Sequence, residues 1–291
     1  MQDTRAASRT AVFVCQARAL AHDHLSVERF QDPIARSLLT PDERLAVDQA
    51  ATYIRSDGRR AVNTAHAIAT CAEAMVPRTV AVDDAIRRTA HGQVVILGLG
   101  LDSRPYRLEA LDDAVVFAID HPASLADSTA RAADAPVIAR KLVRLAVDLA
   151  GTDLQTALVG TEFEPSIPTM WVWEGVVPYL THNSVNAVVR NIASLSAAGS
   201  RLVINYQASS LIDVAGRWVA GLLARVRHLE DPFAAEPWLS RWKAETMRDM
   251  LERHGFVVES DEDLLSVSER LGSRVTHRRL VRNGRVVVAR R

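Results

Sequence analysis

Apolar positions follow two different periods along the chain, and the change comes near residue 92. Before it they recur every three to four residues, as in AVFVCQARALA (11–21) and again from Arg60 to Val76. In the second run Val62, Ala65, Ile68, Ala72, Met75 and Val76 share one helical face, with Asn63, His66, Thr70 and Glu73 opposite. Pro77 is expected to stop that helix, and a short helix from Val82 to Ala90 to follow. Residues 1–92 therefore read as a helical N-terminal cap.

From Gln93 short β-branched runs take over. QVVILGLG is an apolar run ending in glycines, as buried parallel strands do. AVVFAI (114–119), Leu142 to Val147, PTMWVWEG and RLVINYQ repeat the pattern. Helical stretches separate them, the clearest being Asn183 to Ala197, striped by Val185, Val188, Val189, Ile192 and Leu195. Strand–helix alternation implies an α/β fold, a doubly wound and mostly parallel sheet over 93–291. A helical insertion is expected at about 208–240, then a helix from Ser240 to His254. Near the C-terminus Asn283-Gly284 lies between two alternating runs, which predicts a type I′ hairpin on the sheet edge. The whole reads as one domain.

Composition narrows the class. The 291 residues carry 35 basic and 35 acidic side chains, so no net field draws the chain to nucleic acid or anionic membrane. No apolar run approaches the roughly 18 residues of a span, and the first dozen residues lack a signal-peptide core. Two cysteines in unrelated contexts fit a reduced cytoplasm without disulfides. No metal site is expected: His22 and His24 stand two apart on a helix and point to different faces.

Ligands of open parallel sheets bind beyond the carboxyl ends of the strands. Four such ends are marked here by Gly98-Leu99-Gly100, Asp120, Asp148 and Glu174-Gly175. GLGLDS supplies two glycines of a dinucleotide loop, but Ser103 replaces the third and Asp102 places a carboxylate where a pyrophosphate would approach. A cationic adenosine ligand without phosphate, such as S-adenosyl-L-methionine, suits this loop better. Asp120, twenty residues beyond Gly100, is placed to accept both ribose hydroxyls.

VVILGLGLDSRPYRL, followed by VFAID, LAVDL and PTMWVWEGVVPYLT, resembles the leucine carboxyl methyltransferase family, in particular its bacterial branch with tetracenomycin-type polyketide O-methyltransferases. The likeness runs from about Ser8 to Phe256 and includes SRTAVFVCQARA, DPIA at 32–35 and PRTVAVDD at 77–84. It implies a class I, Rossmann-like, seven-stranded methyltransferase using S-adenosyl-L-methionine. By that resemblance Arg78 pairs with the cofactor carboxylate, Gly98 and Gly100 pass the methionine portion, and Asp102 belongs to the same loop. Asp120 holds the ribose, Asp148 and Leu149 meet the adenine, and Glu174 faces the ammonium group. Tyr179 lies near the transferred methyl, and Arg18 adds a second positive charge. Many relatives carry a second arginine and an aromatic where this chain has Val80 and Ala81, which puts the substrate-side wall in question. The tail, with eight arginines from Arg270 onward, does not map to the family pattern.

Simpler roles stand beside these. Asp102 is also a plausible helix N-cap, Arg78 a helix C-cap, and Trp171 and Trp173 packing residues. His182 is the best-placed histidine for a general base, and also an ordinary surface residue. The expected reaction is in-line methyl transfer to oxygen of a small-molecule acceptor, a secondary metabolite by analogy with the polyketide branch. With no convincing base in the sequence, a carboxylate acceptor, ionised at neutral pH, is favoured over a phenol. The alternatives are a nicotinamide-dependent oxidoreductase, which Asp102 disfavours, and a non-catalytic cofactor-binding protein. The helices before Gln93 and the insertion after Gln207 are expected to cover the carboxyl edge of the sheet.

Overall fold

The computed structural model describes residues 8–25, 27–56, 63–89, 91–148, 154–209 and 238–291. Leu149 and nearly all of the expected insertion lie outside them. Three helices come first: α1 (Arg9–His24), α2 (Pro41–Arg55) and α3 (Asn63–Arg87). Thr40 and Glu43 form a capping box at the start of α2, each side chain bonding the other's backbone N–H. The three helices share a core of Phe13, Leu20, Phe30, Val47, Ile68 and Met75, closed by Leu101 and Tyr106.

A seven-stranded sheet follows, with β1 (Gln93–Leu97), β2 (Val115–Asp120), β3 (Lys141–Ala146), β4 (Thr169–Trp173), β5 (Arg201–Gln207), β6 (Val257–Asp263) and β7 (Gly284–Arg290). Their order is β3-β2-β1-β4-β5-β7-β6. The first five strands are parallel, and β7 pairs antiparallel with both β5 and β6. The remaining α-helices among the described residues are α4 (Arg104–Arg107), α5 (Pro122–Arg131), α6 (Leu154–Leu158), α7 (His182–Ser194), α8 (Ala244–Arg253), α9 (Leu264–Leu271) and α10 (Arg278–Asn283).

Both faces of the sheet are buried, and β4 shows how. Trp171 and Trp173 pack on one side with Val185, Val189 and Ile192 of α7 and Met247 and Leu251 of α8. Met170 and Val172 pack on the other with Val82, Ala85 and Ile86 of α3 and Leu264 and Leu265 of α9. This is the packing role expected of the two tryptophans. The chain leaves β1 toward β2 and β3 and returns to β4, so the order reverses between β1 and β4. The crevice beyond that reversal is the fold's ligand position.

Four expectations are corrected. The helix does not stop at Pro77; α3 runs through it to Arg87. The proline forfeits the bond to the Glu73 carbonyl, at a cost of about 3 kcal/mol. Burial of Val76, Val80, Val82 and Ile86 on the same helix, each contributing about 1.5–3 kcal/mol, outweighs it. The Asn283-Gly284 hairpin does not form either. Residues 278–283 are helical, Gly284 has φ −76°, and Val281 is fully buried. Consequently β7 lies inside the sheet and β6 at its edge. The helix expected from Ser240 begins only at Ala244, because Trp242 is drawn into a bridge with Ala208. Finally, Val80 is core and Ala81 faces a cleft with Ser260 and Glu262, so the family departure falls away from the ligand crevice.

No described helix is long and apolar enough to cross a membrane. Cys15 and Cys71 are both free, their thiols pushed up to about 11 chiefly by burial.

Candidate active site

The crevice at the β1/β4 reversal is lined by residues of α1, α3, the β1–α4 loop, the end of β2 and the turn after β4. Arg18, Arg78, Gly98, Gly100, Asp102, Asp120, Glu174 and Tyr179 all border it. Of the expected residues that are described, only Asp148 does not: it is exposed just past β3, next to the end of β2, where the Val147 N–H donates to the Asp120 carbonyl.

The glycines are required by geometry. Gly98 has φ +73°, and a Cβ there would stand 2.3 Å from Val176 Cγ2. Gly100 has φ +49° and faces Ala11 of α1. Its N–H donates to Asp120 Oδ2 at 2.6 Å, and the His121 N–H donates to Oδ1 at 2.7 Å. Asp120 is thus fixed edge-on to the crevice with further lone pairs available. Burial raises its pKa against the pull of those two amides.

Around it runs a buried ionic network. One guanidinium, Arg104, meets three carboxylates at 2.7 Å: Asp83 through Nε, Asp102 through Nη1 and Glu174 through Nη2. Arg107 holds the other oxygen of Asp83 at 2.7 Å and lies 3.5 Å from Asp32. Arg18 lies 3.3 Å from Asp32 and donates to the Leu101 carbonyl. Ser103 ties the two halves, donating to Asp32 at 2.8 Å and accepting from Arg18 and Arg107. Asp102 is not the N-cap of α4, a position Ser103 takes, but its Oδ1 accepts the Arg104 N–H at 2.9 Å in the turn that leads into the helix. Because Arg104 balances its charge, Asp102 repels an anion less than its sequence position implied.

Arg78 is different. It comes from the middle of α3, not from beyond a helix end, and touches Glu174 only through Nε, at 2.7 Å and without hydrogen-bond alignment. Its terminal nitrogens have no hydrogen-bond partner among the described residues. Glu174 would be raised by burial, but Arg104, Arg78 and Arg18 hold it down at about 2. A buried arginine with idle donors thus stands beside an ionised carboxylate, an arrangement whose two charges are complementary to those of an amino-acid zwitterion.

Sequence reasoning missed Asp32, Asp83, Arg104 and Arg107 as site residues, although all four lie in the segments DPIA, PRTVAVDD and RPYRL. The available signal was that charged residues recur in those segments, aspartates in DPIA and PRTVAVDD and arginines in PRTVAVDD and RPYRL. His182 lines neither the crevice nor the cavity that adjoins it: it is exposed, lies 3.0 Å from the Arg241 carbonyl through Nε2 and packs at a tilt against Trp242. His22 binds the Asp32 N–H, and no group of three metal-ligating side chains occurs among the described residues.

A second cavity of about 660 Å³ opens from the first and shares Arg78, Gly175 and Tyr179 with it. Its wall is mostly apolar, from Phe13, Met75, Pro178 and Leu264. Trp238 and Arg241, at the end of the expected insertion, also line it.

The model of the leucine carboxyl methyltransferase family matches residues 11–193, the stretch that holds the cap helices, the glycine loop and Glu174. The chain belongs to this family. Among curated relatives, a Streptomyces avermitilis protein provisionally described as an S-adenosyl-L-methionine-dependent methyltransferase is 30% identical over 84% of this chain and 87% of its own. One from Mycobacterium marinum, described likewise, is 33% identical over 72% and 69%. Another from Mycobacterium sp. strain KMS is 32% identical over 68% of this chain, which spans 65% of that relative's length. Solved structures share the fold of the family member. A DUF574 family protein from Streptomyces avermitilis superposes with TM-score 0.60 at 12% identity, covering 98% of both chains. Magnesium protoporphyrin IX methyltransferase from Synechocystis, solved with bound S-adenosylhomocysteine, gives 0.51 at 15% identity, covering 85% of this chain and 94% of its own. The architecture is that of class I methyltransferases.

Proposed function

We propose that this family member is an S-adenosyl-L-methionine-dependent O-methyltransferase acting on a carboxylate of a small molecule. The observation that carries this reading is Arg78, a buried arginine with unengaged donors at the junction of a polar, carboxylate-lined crevice and a mostly apolar cavity. The cofactor supplies an electrophilic methyl on sulfonium and departs as a neutral thioether. Arg78 and Glu174 receive the carboxylate and ammonium of its methionine end. Asp120, held by the Gly100 amide, accepts from the ribose hydroxyls. Asp102 and Arg18 keep the loop and α1 in place around it, and the adenine contacts of Asp148 and Leu149 rest on the family resemblance alone.

With the methyl donor bound, transfer to the acceptor oxygen would form an O–C bond and break the donor's C–S bond. No proton moves if the acceptor is a carboxylate, and the described residues lining the second cavity include no carboxylate to repel one. Tyr179 and Arg78, common to both cavities, align the acceptor. Among the described residues common to the two cavities there is no histidine; this supports a carboxylate over a phenol, which would need its proton removed.

Calorimetric titration with S-adenosylhomocysteine tests the cofactor half. We expect micromolar binding, about −8 kcal/mol, weakened at least about tenfold in Arg78→Ala and in Asp120→Ala. Folded wild-type protein that releases no heat would overturn the assignment.

A further inference from the structure

The second cavity has a far end, and that end is built. Helix α3 forms one wall, with His66, Thr70, Ala74 and Arg78 all lining the same space. Arg78 marks the reacting end and His66 the other, twelve residues earlier. At 1.5 Å per residue they are about 18 Å apart along the helix.

His66 is exposed, yet it is not a loose surface side chain. Tyr53 Oη lies 2.8 Å from its Nδ1, and the His277 ring meets it edge-on at 5.5 Å. Glu73 in turn fixes His277, accepting the N–H groups of Thr276 and His277 at 2.9 and 2.8 Å. Holding an exposed imidazole this way removes rotamer freedom that a solvated histidine keeps. With Nδ1 occupied, Nε2 is left as the group that meets a ligand. Between the two ends, Thr70 Oγ1 and Trp238 Nε1 are buried without hydrogen-bond partners among the described residues. Such orphans are rare unless something else supplies the partner.

Charge at the far end is on balance basic, its Glu73 carboxylate being engaged by His277. The segment that carries His277 and the lining residue Leu280 also carries Arg279 and Arg282, neither with an ion-pair partner among the described residues. These belong to the arginine-rich tail that the family pattern left unexplained.

We propose that the acceptor is an elongated, mostly apolar molecule with a second oxygen-bearing group, anionic or carbonyl, about 18 Å from the methylated carboxylate, and that His66 reads this group. The proposal rests on the methyltransferase reading for its orientation only: the methylated end lies at Arg78, the distal group at His66, and the apolar body along Met75 and Phe13.

Hexadecanedioic acid and hexadecanoic acid serve as probes, with octanedioic and octanoic acid as the short pair. Binding is measured with and without S-adenosylhomocysteine, in wild type, His66→Leu and His66→Gln. The long diacid should bind wild type at least tenfold tighter than the long monoacid, with no such gain in the short pair. His66→Leu should abolish the gain and leave monoacid affinity unchanged, and His66→Gln should keep part of it. The proposal is overturned by equal binding of the long diacid and monoacid to wild type. Equal weakening of both in His66→Leu, or failure of both long acids to bind while S-adenosylhomocysteine does, overturns it too. Acids binding in the expected pattern without any S-adenosylhomocysteine heat would uphold the long cavity and refute the cofactor reading instead.

Discussion

At Gly98 two demands meet in one residue, a left-handed backbone and a space already filled by Val176. Gly98→Ala therefore incurs both a positive-φ penalty and a steric one, each on the order of 1–2 kcal/mol. Adding Val176→Ala should return only the steric part, because the dihedral cost stays with the alanine. Denaturant midpoints of the single and double variants measure this. Full recovery in the double variant would show that φ at residue 98 is not constrained. Gly98 and Gly100 were legible in the sequence as glycines at a strand end. The collision partners, Val176 and Ala11, were not, since they arrive from distant segments.

Among elements, those buried on both faces were readable and those stabilised by tertiary contacts were not. QVVIL, VVFAI and TMWVW are unbroken apolar runs, and each is the strand expected. The local rule for proline cuts helix α3 in two at Pro77, where burial outweighs it. The last helix, α10, was read as half of a hairpin from an Asn-Gly pair that the buried Val281 overrides. Val281→Ala should cost on the order of 2 kcal/mol, whereas Arg282→Ala on the exposed side should stay within about 0.5 kcal/mol. Thermal unfolding of both variants checks this, and equal effects would contradict the helical placement. The ionic network was illegible for a different reason. Its members are joined across 71 residues from Asp32 to Ser103 and 85 from Arg18 to Ser103, and no local pattern encodes such pairings.

At the scale of the molecule that network fastens the cap helices to the sheet, through Arg18 and Asp32 on one side and Arg104, Arg107 and Glu174 on the other. Its carboxylates set an acid limit. The folded-state pKa of Glu174 lies near 2 instead of 4.5, so its contribution, about 3 kcal/mol, is complete above 4.5 and drains away as pH falls toward 2. Asp83, lowered by Arg104 and Arg107 against its burial, acts in the same sense. Glu174→Gln should lose about 3–5 kcal/mol at neutral pH, leaving two buried guanidinium groups short of countercharge, and should show a flatter acid slope. Melting temperature followed from pH 7 downward tests both, and an unchanged slope would mean that Glu174 is not ionised in the folded protein.

Helix α3 threads all of these tasks. One rigid rod carries His66 at the cavity mouth, Arg78 at the junction and Asp83 in the network, with Pro77 as a seam just before Arg78. A residue gained or lost before the seam would turn the mouth end by about 100° and leave the cofactor end in register. An indel in that one helix would thus re-face the cavity mouth while leaving the proposed methyl-donor site as it is.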